Sequence, residues 1–175
     1  MSARTVILAL ALIATPSVAM AALGNGAKAP VFKTKAALAG KTFDFVLADA
    51  LKKGPVVLYF YPKAFTSGCT VEAHNFAEAT PEFNKAGATV IGISNDEIAT
   101  LSRFSVEACR DKFAVAVGTP AIIRAYDAAI PGTQLANRTS YVIGKDGTIK
   151  YSFSSPNPKG HVENTLKAVQ ALKAK

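Results

Sequence analysis

The run "GPVVLYFYP", residues 54–62, constrains the fold more than any other stretch of the chain. It is continuously apolar over the length of a strand and is bounded by Gly54 and Pro62, the pattern of a strand buried on both faces. Beyond it the period changes. After Cys69, residues Val71, Phe76, Ala79 and Phe83 trace one side of a helix that stops at "KAG", where Lys85 and Gly87 are end signals. "ATVIGIS" repeats the buried-strand pattern, and "DEIATLSRFSVEACRDKF" predicts a second helix, with Asp96 and Glu97 suited to its start and Arg110 and Lys112 to its end. "FAVAV" predicts a short strand, "AIIRAYDAA" a short helix, and "TSYVIGKDGTIKYSF" a hairpin turning at Asp146-Gly147, before "HVENTLKAVQALKA" closes the chain as a helix. Strands and helices that alternate, then give way to a hairpin and a terminal helix, predict an α/β fold with a central mixed sheet flanked by helices.

With 175 residues, half of them apolar, the chain suits one domain. Its N-terminus has a separate character. Arg4 precedes "VILALALIATPSVA", and Ala19 and Ala21 occupy the small-residue positions of a signal-peptidase site, so residues 1–21 are expected to be a signal peptide and 22–175 the folded domain. The apolar run is shorter than the ~20 residues of a membrane span and is interrupted by Thr15, Pro16 and Ser17, which argues against a membrane anchor. An exported protein follows, periplasmic if the source is a bacterium. The formal charge of +8 comes from scattered Lys and Arg without a basic, aromatic-interleaved stripe, so no nucleic-acid partner is expected. His74 and His161 with the two cysteines lack the spacing of a clustered metal site. In an oxidising compartment the two thiols favour a disulfide, structural or cycling, and the residues leave both open.

Cys69 lies in "YPKAFTSGCT", just past the carboxyl end of the first buried strand and at the start of the next helix. Ligand sites of α/β sheets form at such strand ends. Backbone N–H groups and the positive end of a helix dipole stabilise a thiolate there, which makes Cys69 a candidate nucleophile rather than a core filler.

Pro62, Thr66 and Cys69 form P-x3-T-x2-C, and here the sequence resembles the peroxiredoxins. The stretches "VVLYFYPKAFTSGCTVEAHNF", "IGISND" and "RTSYVIGKDGTI" are most similar to the bacterioferritin comigratory protein class, also called peroxiredoxin Q, and the likeness runs from about Gly26 to Lys167. It implies a thioredoxin-like fold and a monomeric thiol peroxidase. Hydrogen peroxide and small organic hydroperoxides would be the substrates, a thioredoxin-like dithiol the reductant, and no metal, flavin or haem cofactor would be needed. By the same resemblance Cys69 is the peroxidatic cysteine, Thr66 hydrogen-bonds peroxide and thiolate, Pro62 shields the pocket, and Arg138 in "NRTSYVI" completes the site. A thiolate that attacks an O–O bond needs a partner for both the sulfur anion and the developing oxyanion, and a permanently charged guanidinium serves both.

The chain also departs from that class. Many members carry a resolving cysteine five residues after the peroxidatic one, where this chain has His74, and Ala64 replaces an acidic residue common in the loop. The resolving role would then pass to Cys109, in the helix after "IGISND", giving a Cys69–Cys109 disulfide. Two cysteines on different helices are expected to lie beyond bonding distance when reduced, so oxidation would unwind a helix end to join them. The alternative is a core thiol and a one-cysteine mechanism. Two other functions stay open: an exported thiol–disulfide oxidoreductase, although C-x2-C is absent, and a non-enzymatic binding module with a structural disulfide. Glu72, one turn after Cys69, is placed to bridge to an active-site arginine, but the favour that a helix start shows an acidic residue is the preferred explanation; Tyr59 and Tyr61 are explained by core packing, and Phe65 by either core or pocket wall.

Overall fold

In the computed structural model, which describes residues 22–173, the first apolar run forms β3 (Val56–Phe60), and all five of its residues are buried. The segment expected to be a signal peptide lies outside the described residues. Successive side chains of a strand point to opposite faces, and β3 accordingly feeds two cores. Val56, Leu58 and Phe60 pack on the side of α1 (Leu47–Lys53) and α4 (Pro120–Ala125), with Leu47, Leu51 and Ile123. Val57, Tyr59 and the following Tyr61 pack on the side of α2 (Ser67–Lys85), α3 (Ile98–Glu107) and α5 (His161–Lys173), with Phe76, Leu101 and Val169. Full burial of each large apolar side chain contributes about 1.5–3 kcal/mol, so the central strand is the anchor of both layers.

The remaining strands are β1 (Lys33–Leu38), β2 (Lys41–Val46), β4 (Thr89–Ser94), β5 (Ala114–Val117), β6 (Thr139–Ile143) and β7 (Ile149–Ser154). They form one seven-stranded sheet in the order β2-β1-β5-β4-β3-β6-β7. The β3, β4 and β5 strands run parallel, while β6 pairs antiparallel with β3 and β1 antiparallel with β5. The mixed sheet expected from the sequence is therefore present. Tyr59 stands directly opposite Gly92 in the β3–β4 register, and a Cβ at Gly92 would come within 2.8 Å of the tyrosine ring. The absence of a side chain there lets Tyr59 stack on Phe76 at 4.3 Å and on Tyr61 at 5.4 Å.

Several elements differ from the sequence expectation. The β1–β2 hairpin and α1 carried no signal that was read. The hairpin turns at Ala39 and Gly40, both at positive φ (49° and 76°), a two-residue turn without the usual Asn-Gly or Asp-Gly pair. On α2 the buried side is Cys69, Glu72, Ala73, Phe76, Ala77, Thr80 and Phe83, and Val71 faces solvent. The helix expected to run through Lys112 ends at Glu107, because Arg110 and Asp111 adopt left-handed φ values of 51° and 59°. Cys109 thus lies in the turn after α3 and not within the helix. Among the described residues no helix is long and apolar enough to cross a membrane.

Candidate active site

The loop from Pro62 to Thr66 carries the chain from β3 to α2. Phe65 within it has φ 64°, a left-handed conformation that a bulky residue adopts only under constraint. Two contacts supply that constraint. The Ala64 N–H donates to Asp96 Oδ2 at 2.7 Å, and the Phe65 ring packs edge-on against Phe104 with its centroid 5.1 Å away. Asp96 also accepts from Ser94 Oγ at 2.8 Å, so the "ISND" segment after β4 holds the loop. The sequence reading had assigned Asp96 only to a helix start.

Thr66 is the extended residue before α2 and does not cap it with its side chain, which leaves the positive end of the helix to Cys69 in the first turn. Cys69 is a thiol with 1 % of its surface exposed. Its Sγ lies 3.5 Å from Nη2 of Arg138, which comes from the residue just before β6. Strand order makes this possible, since β6 is hydrogen-bonded to β3 and its start sits beside β3's carboxyl end. The expected pairing of Cys69 with Arg138 is therefore present in the geometry. Arg138 makes two further hydrogen bonds: Nε donates to the Pro156 carbonyl at 3.1 Å, and Nη1 donates to Glu72 Oε2. Burial opposes the guanidinium charge, but Glu72 and Cys69 outweigh it and hold Arg138 charged.

Glu72 makes the bridge to the active-site arginine that the sequence also allows, although the helix dipole is the explanation preferred there. Its side chain is completely buried, bound to Arg138 and 3.7 Å from Nδ1 of His161. Burial pushes its carboxyl up to about 8, against the opposing pull of Arg138. His161, at the first position of α5, is also completely buried. Burial pulls its ring down to about 4, with the Arg138 charge acting in the same direction, so it is neutral near pH 7. Its Nδ1 is 2.8 Å from Ser140 Oγ and its Nε2 3.1 Å from the Ser155 carbonyl. Sequence reasoning considered His161 only as a metal ligand. The available signal was the spacing of Glu72, one turn after Cys69 on the same helical side.

Thr66 and Pro62 are at the mouth of the site. The Thr66 hydroxyl donates to the Lys63 carbonyl at 3.0 Å rather than to the thiol, and its lone pairs are free to accept. Pro62 and Arg138 share the lining of a cavity of about 220 Å³ with Ile130, Asn137, Ser155 and Pro156. Cys109 is also a buried thiol, packed in the same core cluster as Cys69 and not bonded to it. Burial, assisted by the Asp111 charge, raises the ionisation of the Cys109 thiol far above its ordinary range.

The chain that carries this site has counterparts among known proteins. A family model described as the AhpC/TSA family matches residues 25–152, which include Pro62, Thr66, Cys69, Glu72, Cys109 and Arg138. The chain belongs to the AhpC/TSA family. Its relatives in that family include the chloroplastic peroxiredoxin Q of Oryza sativa subsp. japonica, 36% identical over 131 residues, which cover 73% of this chain and 59% of the rice protein. Peroxiredoxin Bcp of Xanthomonas campestris pv. campestris is 31% identical over 122 residues, covering 66% of this chain and 76% of that protein. The chain thus spans about three-fifths of the length of the rice relative. Peroxidoxin BcpB from Mycobacterium tuberculosis superposes with a TM-score of 0.75 at 27% identity, covering 85% of this chain and 97% of that one. The AhpC/TSA fold seen here is thioredoxin-like, and His161 lies beyond the matched segment.

Proposed function

We propose that the protein is a thiol peroxidase in which Cys69 reduces hydrogen peroxide and small organic hydroperoxides. The observation that carries this reading is the 3.5 Å approach of Arg138 Nη2 to Cys69 Sγ at the start of α2. The Cys69 thiolate attacks one peroxide oxygen, an S–O bond forms, the O–O bond breaks, and the departing oxygen leaves as water or alcohol after taking a proton. Arg138 offers its donors to both the sulfur and the developing oxyanion, and Thr66 accepts from the peroxide hydrogen.

Sulfur leaves this step as a sulfenic acid. Cys109 then condenses with it, releasing water and forming a Cys69–Cys109 disulfide, and a thioredoxin-like dithiol returns both to thiols. Because Cys109 is buried and its thiolate strongly disfavoured, it attacks only after the turn at 109–112 or the first turn of α2 opens. Export to an oxidising compartment belongs to the same proposal and rests on the Arg4-led apolar segment with Ala19 and Ala21.

The test is peroxide consumption with a dithiol donor. Wild type is expected to turn over, and Cys69→Ser is expected to consume no peroxide while keeping the wild-type circular dichroism. Turnover by Cys69→Ser would overturn the assignment. Thiol–disulfide exchange without peroxide consumption would favour an oxidoreductase, and neither activity would favour a binding module.

A further inference from the structure

We propose that the buried pair Glu72–His161 holds one proton while Cys69 is a thiolate, and gives that proton up when a hydroperoxide consumes the thiolate. This deepens the peroxidase reading and rests on it for the reaction step. The hydrogen-bond geometry fixes where the proton can be. His161 Nε2 faces the Ser155 carbonyl at 3.1 Å, and a carbonyl only accepts, so Nε2 carries hydrogen. In the neutral ring Nδ1 is then a bare acceptor, answered by the Ser140 hydroxyl at 2.8 Å. Glu72 Oε1 lies 3.7 Å from that same nitrogen and has no hydrogen-bond partner, although it is fully buried.

As a carboxylate, Oε1 would be a charged acceptor left unanswered in a dry interior, an arrangement costly enough to be rare. A proton on Oε1 removes that charge. Oε2 still accepts from Arg138 Nη1, and the neutral Oε1–H faces Nδ1 at 3.7 Å, beyond hydrogen-bond reach, so that nitrogen keeps the Ser140 hydroxyl as its donor. Charge counting agrees. One guanidinium faces two acids, Cys69 and Glu72, and a buried cluster of Arg138, thiolate and carboxylate would carry an uncompensated negative charge. With the proton on the pair, the cluster is neutral. The neighbouring Tyr59, beside Glu72 and Cys69, and Tyr61, beside Cys69, are both kept in their neutral form by burial.

The chemistry balances without any further reactant. Cys69 thiolate, hydroperoxide and the Glu72 carboxylic acid become Cys69 sulfenic acid, alcohol or water, and the Glu72 carboxylate. Sulfur loses two electrons, the O–O bond takes them, and the proton that the leaving oxygen needs equals the one the pair releases. Arg138, no longer matched by the thiolate, is then matched by the carboxylate. Glu72 and His161 act through Arg138 and do not touch the peroxide.

The direct test is proton stoichiometry in a single turnover of the reduced protein with hydrogen peroxide, followed by a pH indicator in weak buffer near pH 7. Wild type is expected to take essentially no proton from solution per Cys69 oxidised, whereas Glu72→Gln, which has no acidic proton to give, is expected to take one. Uptake of a full proton by wild type, or none by Glu72→Gln, would overturn the proposal. A second arm needs neither peroxide nor a variant. Infrared difference spectra of the wild-type protein, before and after Cys69 is alkylated with iodoacetamide, are expected to lose a protonated-carboxyl band. A spectrum with no such loss contradicts the proton's placement. Absence of any peroxide reaction would instead sink the functional reading, and the infrared arm would still decide where the proton resides.

Discussion

At Arg138 three tasks meet on one guanidinium: it faces the Cys69 sulfur, grips Glu72 and ties to the Pro156 carbonyl. Removing it strips Glu72 Oε2 of its donor and the Cys69 thiolate of its counter-charge, and breaking a buried pair from one side typically costs about 3–5 kcal/mol. Arg138→Ala is therefore expected to lower stability by about 3 kcal/mol in denaturant titration, and to slow the peroxide step by roughly 100-fold, the usual loss for one preorganised donor. The double variant Arg138→Met with Glu72→Leu is expected to regain most of the stability and none of the rate. A double variant as unstable as the single one would mean that packing, not charge, dominates. Cys69, Arg138 and Pro62 were legible in the sequence because a motif and its chemistry named them. The Glu72–arginine bridge was legible only as the second explanation, and His161 was not placed in the site, because an acidic residue in a first helical turn and a lone histidine each have an ordinary explanation. The packing of α5 against α2 brings the two together.

At the scale of elements, the two cysteines differ in what holds them. Cys69 is fixed by a helix start and an arginine, whereas Cys109 sits in a turn whose next two residues, Arg110 and Asp111, adopt left-handed φ values unfavourable for side chains with a Cβ. An exposed Arg110–Glu78 ion pair at 3.3 Å is the turn's link to α2, and such pairs contribute little. Opening is thus expected at residues 109–112 before the first turn of α2 unwinds. Cys109→Ser should permit one turnover, leave Cys69 as a sulfenic acid trappable by dimedone, and sensitise it to over-oxidation. Normal cycling of that variant with the same dithiol would establish a one-cysteine mechanism. The long apolar strands and the Asp146-Gly147 hairpin were readable because their periods are unambiguous. The end of α3 was misplaced because nothing in "ACRDKF" announces two left-handed residues, and the β1–β2 hairpin was missed because Ala39-Gly40 is not a usual turn pair.

Over the whole molecule, Glu72 and His161 impose opposite pH dependences on stability. Glu72 has its folded ionisation raised from 4.5 to about 8, so the folded state holds the proton more tightly and stability is lost as pH rises through that window. His161 has its folded ionisation lowered from 6.5 to about 4, so stability is present above 6.5 and lost as pH falls toward 4. Between 4.5 and 6.5 the two slopes oppose each other, and above 6.5 only that of Glu72 remains. The unfolding free energy from these two groups is therefore expected to be nearly flat from pH 4.5 to 6.5 and to decline from 6.5 to 8, and Glu72→Gln should abolish the decline. A decline unchanged in that variant would assign it to another group. The central claim, that the fold exists to present one reactive sulfur, is tested most directly by mass spectrometry of the reduced protein after one equivalent of hydrogen peroxide in the presence of dimedone. The account predicts the adduct on Cys69, or a Cys69–Cys109 disulfide where condensation is faster. Oxidation found first on Cys109, with Cys69 still a free thiol, would contradict it.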